Sequence, residues 1–200
     1  MLNLLLRLVA ALPLRAVHAI GGFLGRVVYW LSPTYRRRLD ENLELAGYTD
    51  AATRRAAIAG AGRQALETPW IWKRPRGDVI ARTSFADVRL FDEAIADGRP
   101  VIFLPPHLGC YEVTAQFYVA SRPEARTRPI TVLYRVPHKS ILRPIVEAGR
   151  AVDGVRLAPA EMRGVRMLMK AMRDRHVVGI LPDQVPSRGE GVWAPFFGRW

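Results

Sequence analysis

The sequence predicts an α/β fold: a mostly parallel central sheet covered by helices, preceded by an N-terminal amphipathic helix. Three observations carry that expectation. Short apolar runs at 101–104, 130–134 and 177–181 are bounded by Pro and charged residues, the form of buried strands. Segments with helical patterning, 110–121, 138–149 and 162–173, alternate with those runs. Strands alternating with helices favour parallel pairing, because each crossover helix returns the chain to the same edge.

The first 31 residues are strongly apolar, yet Arg7, Arg15 and Arg26 interrupt them. A central transmembrane helix rarely carries such charges. At about 100° per residue, Arg7, Arg15, His18 and Arg26 fall within a sector roughly 100° wide. A wide apolar face beside a cationic stripe is the pattern of an interfacial membrane anchor. Pro13 should kink it. A buried core helix and a cleaved signal peptide are the competing readings; the latter lacks a cationic n-region and a small-residue cleavage site. The cluster Arg36, Arg37 and Arg38 would meet anionic headgroups on the cytoplasmic side, or form an ordinary solvated helix end.

Ser32-Pro33 reads as an N-cap followed by proline at the first helical position. That helix runs to about Ala46 and closes at Gly47. Asp50 caps the next, which passes Glu67 and ends near Trp72. Residues 73–77 form a Pro/Gly turn, and 85–97 are helical up to Asp97-Gly98. Thus 1–31 are expected as an anchor helix and 32–200 as one domain.

Composition narrows the function. Half of the 200 residues are hydrophobic, enough for a sizeable core. Thirty basic residues against 18 acidic leave a net charge of +12. Such a surface seeks polyanions: nucleic acid, anionic lipid or an acidic carrier protein. Lysine occurs only at Lys73, Lys139 and Lys170, so a general preference for arginine accounts for part of that charge. The arginines are spread along the chain, without the aromatic-interleaved stripe of a nucleic-acid module, and nucleic acid is not expected as a partner. No glycine loop suited to cradling phosphate is present. Cys110 is the single cysteine, which excludes a disulfide framework or a cysteine metal site. His18, His107, His138 and His176 lack metal-ligand spacing. Neither metal nor cofactor is expected.

Catalytic groups in open α/β sheets gather beyond the carboxyl ends of strands. Two polar clusters stand there: Pro105-Pro106-His107-Leu108-Gly109-Cys110-Tyr111-Glu112 and Pro182-Asp183-Gln184. On one helix His107 and Glu112 would point about 140° apart. With His107 in the turn before the helix, its ring folds back and Glu112 comes within reach. Gly109 lets the backbone turn and leaves room for a substrate. A carboxylate on one ring nitrogen fixes the tautomer, and the other nitrogen takes a proton from a hydroxyl. This is triad logic in which the substrate's alcohol replaces the serine. A structural histidine in a strand-to-helix turn fits the spacing equally. Cys110 is the runner-up nucleophile, since a helix N-terminus lowers a thiol's pKa.

His107-Leu108-Gly109-Cys110-Tyr111-Glu112 resembles the His-x4-Asp/Glu motif of glycerolipid acyltransferases. Its Glu form, with Gly two residues after His, resembles the lipid A lauroyl/myristoyl acyltransferase family. Further blocks agree in order: Arg38-x3-Asn42-Leu43, Glu67, Tyr134-Arg135, Gly149-Arg150, Leu181-Pro182-Asp183-Gln184, Gly191-Val192 and Pro195-Phe196-Phe197-Gly198. The Phe-Pro-Glu-Gly-Thr-Arg-like block of the phospholipid-forming branch is missing.

The resemblance implies a glycerolipid acyltransferase-like fold at the cytoplasmic face of a bacterial inner membrane. It implies acyl carrier protein bearing the donor, and a lipid A precursor whose hydroxyl accepts the chain. His107 would be the general base and Glu112 its partner. Arg150 would bind acceptor phosphate or the thioester oxyanion, unless it is a solvated helix-end arginine. Asp183 would position His107 or an acceptor sugar, unless it is a turn residue. Gly109, Tyr134 and Arg166 are further substrate-site candidates, and a helix N-terminus after Gly109 would supply oxyanion donors. Family members are usually longer, which implies further chain beyond Trp200. The alternatives are transfer to a lysophospholipid, glycolipid or amino-lipid, or a non-catalytic basic membrane-binding protein.

Overall fold

The computed structural model describes residues 2–84, 87–137, 139, 142–183, 192, 194 and 195. Four helices come first: α1 (Leu2–Ala11), α2 (Leu14–Leu31), α3 (Pro33–Leu45) and α4 (Ala51–Lys73). The short α5 (Arg76–Ile80) and α6 (Arg89–Ala96) lead into an alternating series. It runs β1 (Val101–Phe103), α7 (Val113–Ser121), β2 (Ile130–Tyr134), α8 (Arg143–Arg150), β3 (Val155–Pro159), α9 (Met162–Arg173) and β4 (Val177–Gly179). The strands lie in the order β1-β4-β2-β3, every pair parallel. The expected α/β fold with a parallel sheet is therefore present.

β4, last in the chain, sits between β1 and β2 and is buried on both faces, which accounts for its unbroken apolar run. Successive side chains point to opposite faces. Val177 joins Ile95, Val101, Tyr118 and Ile130 in one core cluster, whereas Val178 joins Ala158, Leu168 and Ala171 in another. The sheet is thus packed on both sides, by α6 and α7 on one and α9 on the other.

β3 has no counterpart among the sequence expectations. Arg156 is exposed and Pro159 ends it, so it carries the composition of an edge strand rather than an apolar run. Two caps are as expected. Ser32 Oγ accepts from the Tyr35 N–H at 3.4 Å, and Asp50 Oδ1 from the Thr53 N–H at 2.8 Å. Several boundaries differ. α5 begins inside the expected 73–77 turn. α6 starts at Arg89 rather than 85, with 85 and 86 outside the described residues. α8 starts at Arg143 rather than 138, and His138 likewise lies outside them. α7 starts at Val113, not 110, because the residues after Gly109 (φ +59°) first form tight turns, with Val113 N–H on Cys110 O at 3.2 Å and Thr114 N–H on Tyr111 O at 3.1 Å.

The N-terminal segment is two helices rather than one kinked rod, separated at Pro13. α2 lies against α4 with its backbone nearly touching. A Cβ on Gly62 would fall 2.1 Å from the Gly21 carbonyl oxygen, and one on Gly25 would fall 2.4 Å from that of Ile58. Glycines here permit close approach of two helices. The orphan carbonyls at the end of α1 are satisfied across the chain: Trp70 Nε1 donates to Leu12 O at 3.0 Å and Arg74 Nη1 to Ala10 O at 2.6 Å.

Arg7, Arg15 and Arg26 are exposed, but His18 leaves the expected stripe and turns toward α4, with Nε2 3.4 Å from Glu67 Oε1. Away from α4, the pair α1–α2 exposes Leu4, Leu5, Leu8, Ile20, Phe23, Leu24, Trp30 and Leu31. No described helix is long and apolar enough to cross a membrane.

Gly62→Val would force α2 off α4. It should lower unfolding stability by about 1–3 kcal/mol or more, the range for overpacking. Denaturant midpoints of the two proteins check this; equal midpoints would contradict the close helix crossing.

Candidate active site

β1 and β4 pair in parallel with Phe103 opposite Gly179. Both strands then continue through proline into a loop: Pro105-Pro106-His107 on one and Pro182-Asp183 on the other. Four residues beyond the paired positions, His107 and Asp183 stand side by side. Asp183 Oδ1 lies 2.6 Å from His107 Nδ1, and its Oδ2 accepts the His107 backbone N–H at 2.6 Å. One carboxylate thus grips both the main chain and the ring of the same residue. These two bonds, the ring's first, hold the Asp183 carboxyl below the usual range. The clamp is intact at neutral pH and is lost only as acid protonates that carboxylate.

Of the two roles expected of Asp183, this contact is the first, the positioning of His107, and the expected His107–Glu112 pairing is corrected. The acid on Nδ1 is Asp183, not Glu112. The turn at Gly109 carries Glu112 past the ring toward α8 and α4. There its side chain, 7% exposed, forms an ion pair with Arg150 Nη2. Arg150 Nε also donates to both carboxylate oxygens, at 3.1 and 3.0 Å. Trp72 Nε1, from the end of α4, donates to Glu112 Oε2 at 3.1 Å. The Arg150 guanidinium lies 5.8 Å from the Trp72 ring centroid. Burial works against the charge on Arg150, but the bonds to Glu112 outweigh it and its pKa is raised. Gly149 explains the approach: a Cβ there would meet the Trp72 ring at 2.5 Å.

His107, Tyr111, Glu112 and Arg150 line one end of a cavity of about 630 Å³. That volume suits a drug-sized occupant. Its remaining wall is largely apolar, with Ile130 and Val132 of β2, Val155 and Leu157 of β3, Phe103 and Leu181. The cavity therefore runs along the α7 side of the sheet, from the polar clusters at the strand ends toward the strand starts. Tyr111 packs edge-on against the His107 ring, centroids 4.8 Å apart.

The other expected residues divide. Tyr134 lines the cavity; its hydroxyl donates to Glu147 Oε1 at 2.8 Å, and burial first, then Glu147, raises its pKa. Arg135 lines the rim and is exposed. Gly109 is exposed and serves the turn; a Cβ there meets nothing within 4 Å, so φ rather than crowding demands glycine. Arg166 lies exposed on α9, which packs on the opposite face of the sheet, and takes no part in lining the cavity. The helix expected to start just after Gly109 begins at Val113. Cys110 is not activated: burial, then Glu67, pushes its thiol up to about 12. Gln184, Gly191 and Phe196-Phe197-Gly198 lie outside the described residues. Among the described residues no group of three acidic, histidine or cysteine side chains is placed to hold a metal.

Trp72 escaped the sequence reading. Its only signal was position, at the end of a helix rich in aromatics, Trp70 and Trp72, before a Pro/Gly turn.

The model of the bacterial lipid A biosynthesis acyltransferase family matches residues 1–200. No curated protein matches the chain. The match spans the whole sequence, so the chain belongs to that family, and the family is one of acyltransferase enzymes.

Two outcomes are expected. Cys110 should react with iodoacetamide about 10³-fold more slowly at pH 8 than an unperturbed thiol, because so little thiolate is present; rapid alkylation of the folded protein would contradict its burial. Trp72→Phe keeps the ring but removes the donor to a buried carboxylate, and should cost about 1–3 kcal/mol in unfolding free energy. An unchanged denaturation midpoint would show that the bond contributes nothing.

Proposed function

We propose that this member of the bacterial lipid A biosynthesis acyltransferase family transfers a long acyl chain from acyl carrier protein to a hydroxyl of a lipid A precursor. His107 is the base. The observation that carries this reading is the Asp183 carboxylate 2.6 Å from Nδ1, at the polar end of an apolar cavity. A carboxylate there keeps the proton on Nδ1, so that Nε2 presents the lone pair that removes the acceptor's proton. The deprotonated oxygen attacks the thioester carbonyl, and the resulting oxyanion collapses with loss of the carrier thiolate. The imidazolium returns its proton to that thiolate. Asp183 stabilises the imidazolium while it lasts.

Glu112 acts through Arg150. The buried pair fixes the guanidinium at the cavity wall, where it stabilises the oxyanion or holds an acceptor phosphate. Removing one partner of a buried pair leaves the other uncompensated, at a cost of about 3–5 kcal/mol. The acyl chain lies against Ile130, Val132, Val155 and Leu157, whose side chains exclude water from the reacting thioester. Ile130 to Tyr134 spans about 13 Å of strand at roughly 3.3 Å per residue.

The chain works at the cytoplasmic face of the inner membrane. The exposed apolar face of α1 and α2 is too large to be incidental and is flanked by Arg15 and Arg26, which supports interfacial docking. This reading keeps the lipid acceptor and the enzyme in one phase.

His107→Ala should reduce transfer of a radiolabelled acyl chain from acyl carrier protein to a tetra-acylated precursor by about 10²–10⁴-fold. Folding, measured by circular dichroism, should not change. Undiminished transfer would remove the base from the account. Lysophosphatidate accepted in preference to the precursor would reassign the acceptor.

A further inference from the structure

The break between α1 and α2 at Pro13 meets the end of α4 in a second cleft, of about 420 Å³. Its lining includes Pro13, Leu14, Arg15, Trp70, Arg74 and Arg82. Trp70 is 2% exposed, so its indole forms a fixed floor. The guanidinium carbons of Arg74 and Arg82 lie 5.4 and 5.9 Å from its ring centroid. Arg74 is committed to the fold: it caps Ala10 O and pairs with Asp78 Oδ2 at 3.0 Å. Arg82 donates Nη1 to the Asp78 carbonyl oxygen at 2.7 Å. Arg15 is exposed. Arg15, Arg74 and Arg82 against Asp78 leave two positive charges in one concave space, a repulsion that a bound anion would relieve.

The surroundings select the anion. Leu8, 58% exposed, stands on α1, and Leu12, 37% exposed, follows its end; Arg15 comes three residues after Leu12. Apolar side chains beside an uncompensated cationic cleft match a phosphate that carries hydrocarbon. We propose that this cleft binds the headgroup phosphate of an anionic phospholipid, with its acyl chains along Leu8 and Leu12. Arg15 and Arg82 contact the phosphate, and Trp70 walls it in. The inference rests on the membrane-docking reading of α1 and α2 and adds to it a discrete site, distant in sequence from the Arg36-Arg37-Arg38 cluster.

The test uses the full chain and vesicles of phosphatidylcholine, alone or mixed with phosphatidylglycerol. Arg15→Gln/Arg82→Gln is compared with Arg163→Gln/Arg173→Gln on α9, which removes the same charge. Arg74 is left in place because it caps α1. Binding to the mixed vesicles should fall about thirty-fold for the first pair, given about fivefold per basic residue. The α9 pair should lose less than about threefold, since charges beyond a Debye length from the bilayer are screened. Arg15→Gln alone, whose side chain has no hydrogen bond among the described residues, should lose about fivefold. Binding to pure phosphatidylcholine should be the same for all.

Equal losses for the two pairs would overturn the site in favour of diffuse attraction. Displacement from mixed vesicles by sn-glycerol 3-phosphate would overturn the lipid source and make the cleft a site for soluble phosphates. Parent protein that binds neutral vesicles with no gain from phosphatidylglycerol would overturn the cleft and leave docking standing. Parent protein that binds no vesicle would overturn both.

Discussion

A single carboxylate gripping His107 by ring and backbone organises the polar end of this molecule's main cavity. That grip is a consequence of strand register. β1 and β4 are distant in sequence but adjacent in the sheet, and their parallel pairing sets the two loops beyond them at equal height. A slip of the pairing by one residue would turn each side chain to the other face and separate the pair. The His107–Asp183 geometry therefore depends on the burial of Val177, Val178 and Gly179, which holds β4 in the middle of the sheet.

A second constraint works beside the first. Glu112, Arg150 and Trp72 come from three separate elements, and their bonds tie the N-terminal helices to the α/β unit. Gly149 is the concession that lets the indole close over α8. The chain spends glycine where backbones or rings must touch: at Gly149 beneath Trp72, and at Gly21, Gly25 and Gly62 where α2 crosses α4. In both places the gain is position rather than flexibility. The first fixes a cation at the cavity wall; the second holds α2 so that its other apolar face stays outward.

Much of this was legible in the sequence. Buried strands announce themselves by continuous apolar runs, so β1, β2 and β4 could be read directly. β3 could not, because Arg156 breaks its apolar run and Pro159 ends it. The helix caps at Ser32 and Asp50 were legible because their chemistry is local. His107 and Asp183 were both found at the ends of strands, and the resemblance already offered Asp183 as a residue that positions His107 or an acceptor sugar. The choice between Glu112 and Asp183 as the acid on the ring could not be made, since that depends on strand order, and β4 lying next to β1 is a tertiary fact. Proximity in sequence favoured Glu112, and the positive φ of Gly109 redirects it. Trp72 left no motif, because an indole N–H donor is recognised only once its acceptor is known. His18 was misassigned to a solvent stripe because a helix wheel cannot tell which neighbour, α4 and Glu67 or water, lies against that sector.

The most direct measurement is the single-turnover rate of acyl transfer by Asp183→Asn, set against Glu112→Gln. An amide at Asp183 cannot hold the required tautomer or stabilise the imidazolium. The rate should therefore fall by about 10⁴-fold, as when the buried acid of a catalytic triad is replaced, with the affinity for acyl carrier protein unchanged. Glu112→Gln should instead destabilise the fold and weaken the response to the acceptor. An Asp183→Asn protein that transfers at the parent rate would contradict the assignment of Asp183 as the acid behind His107.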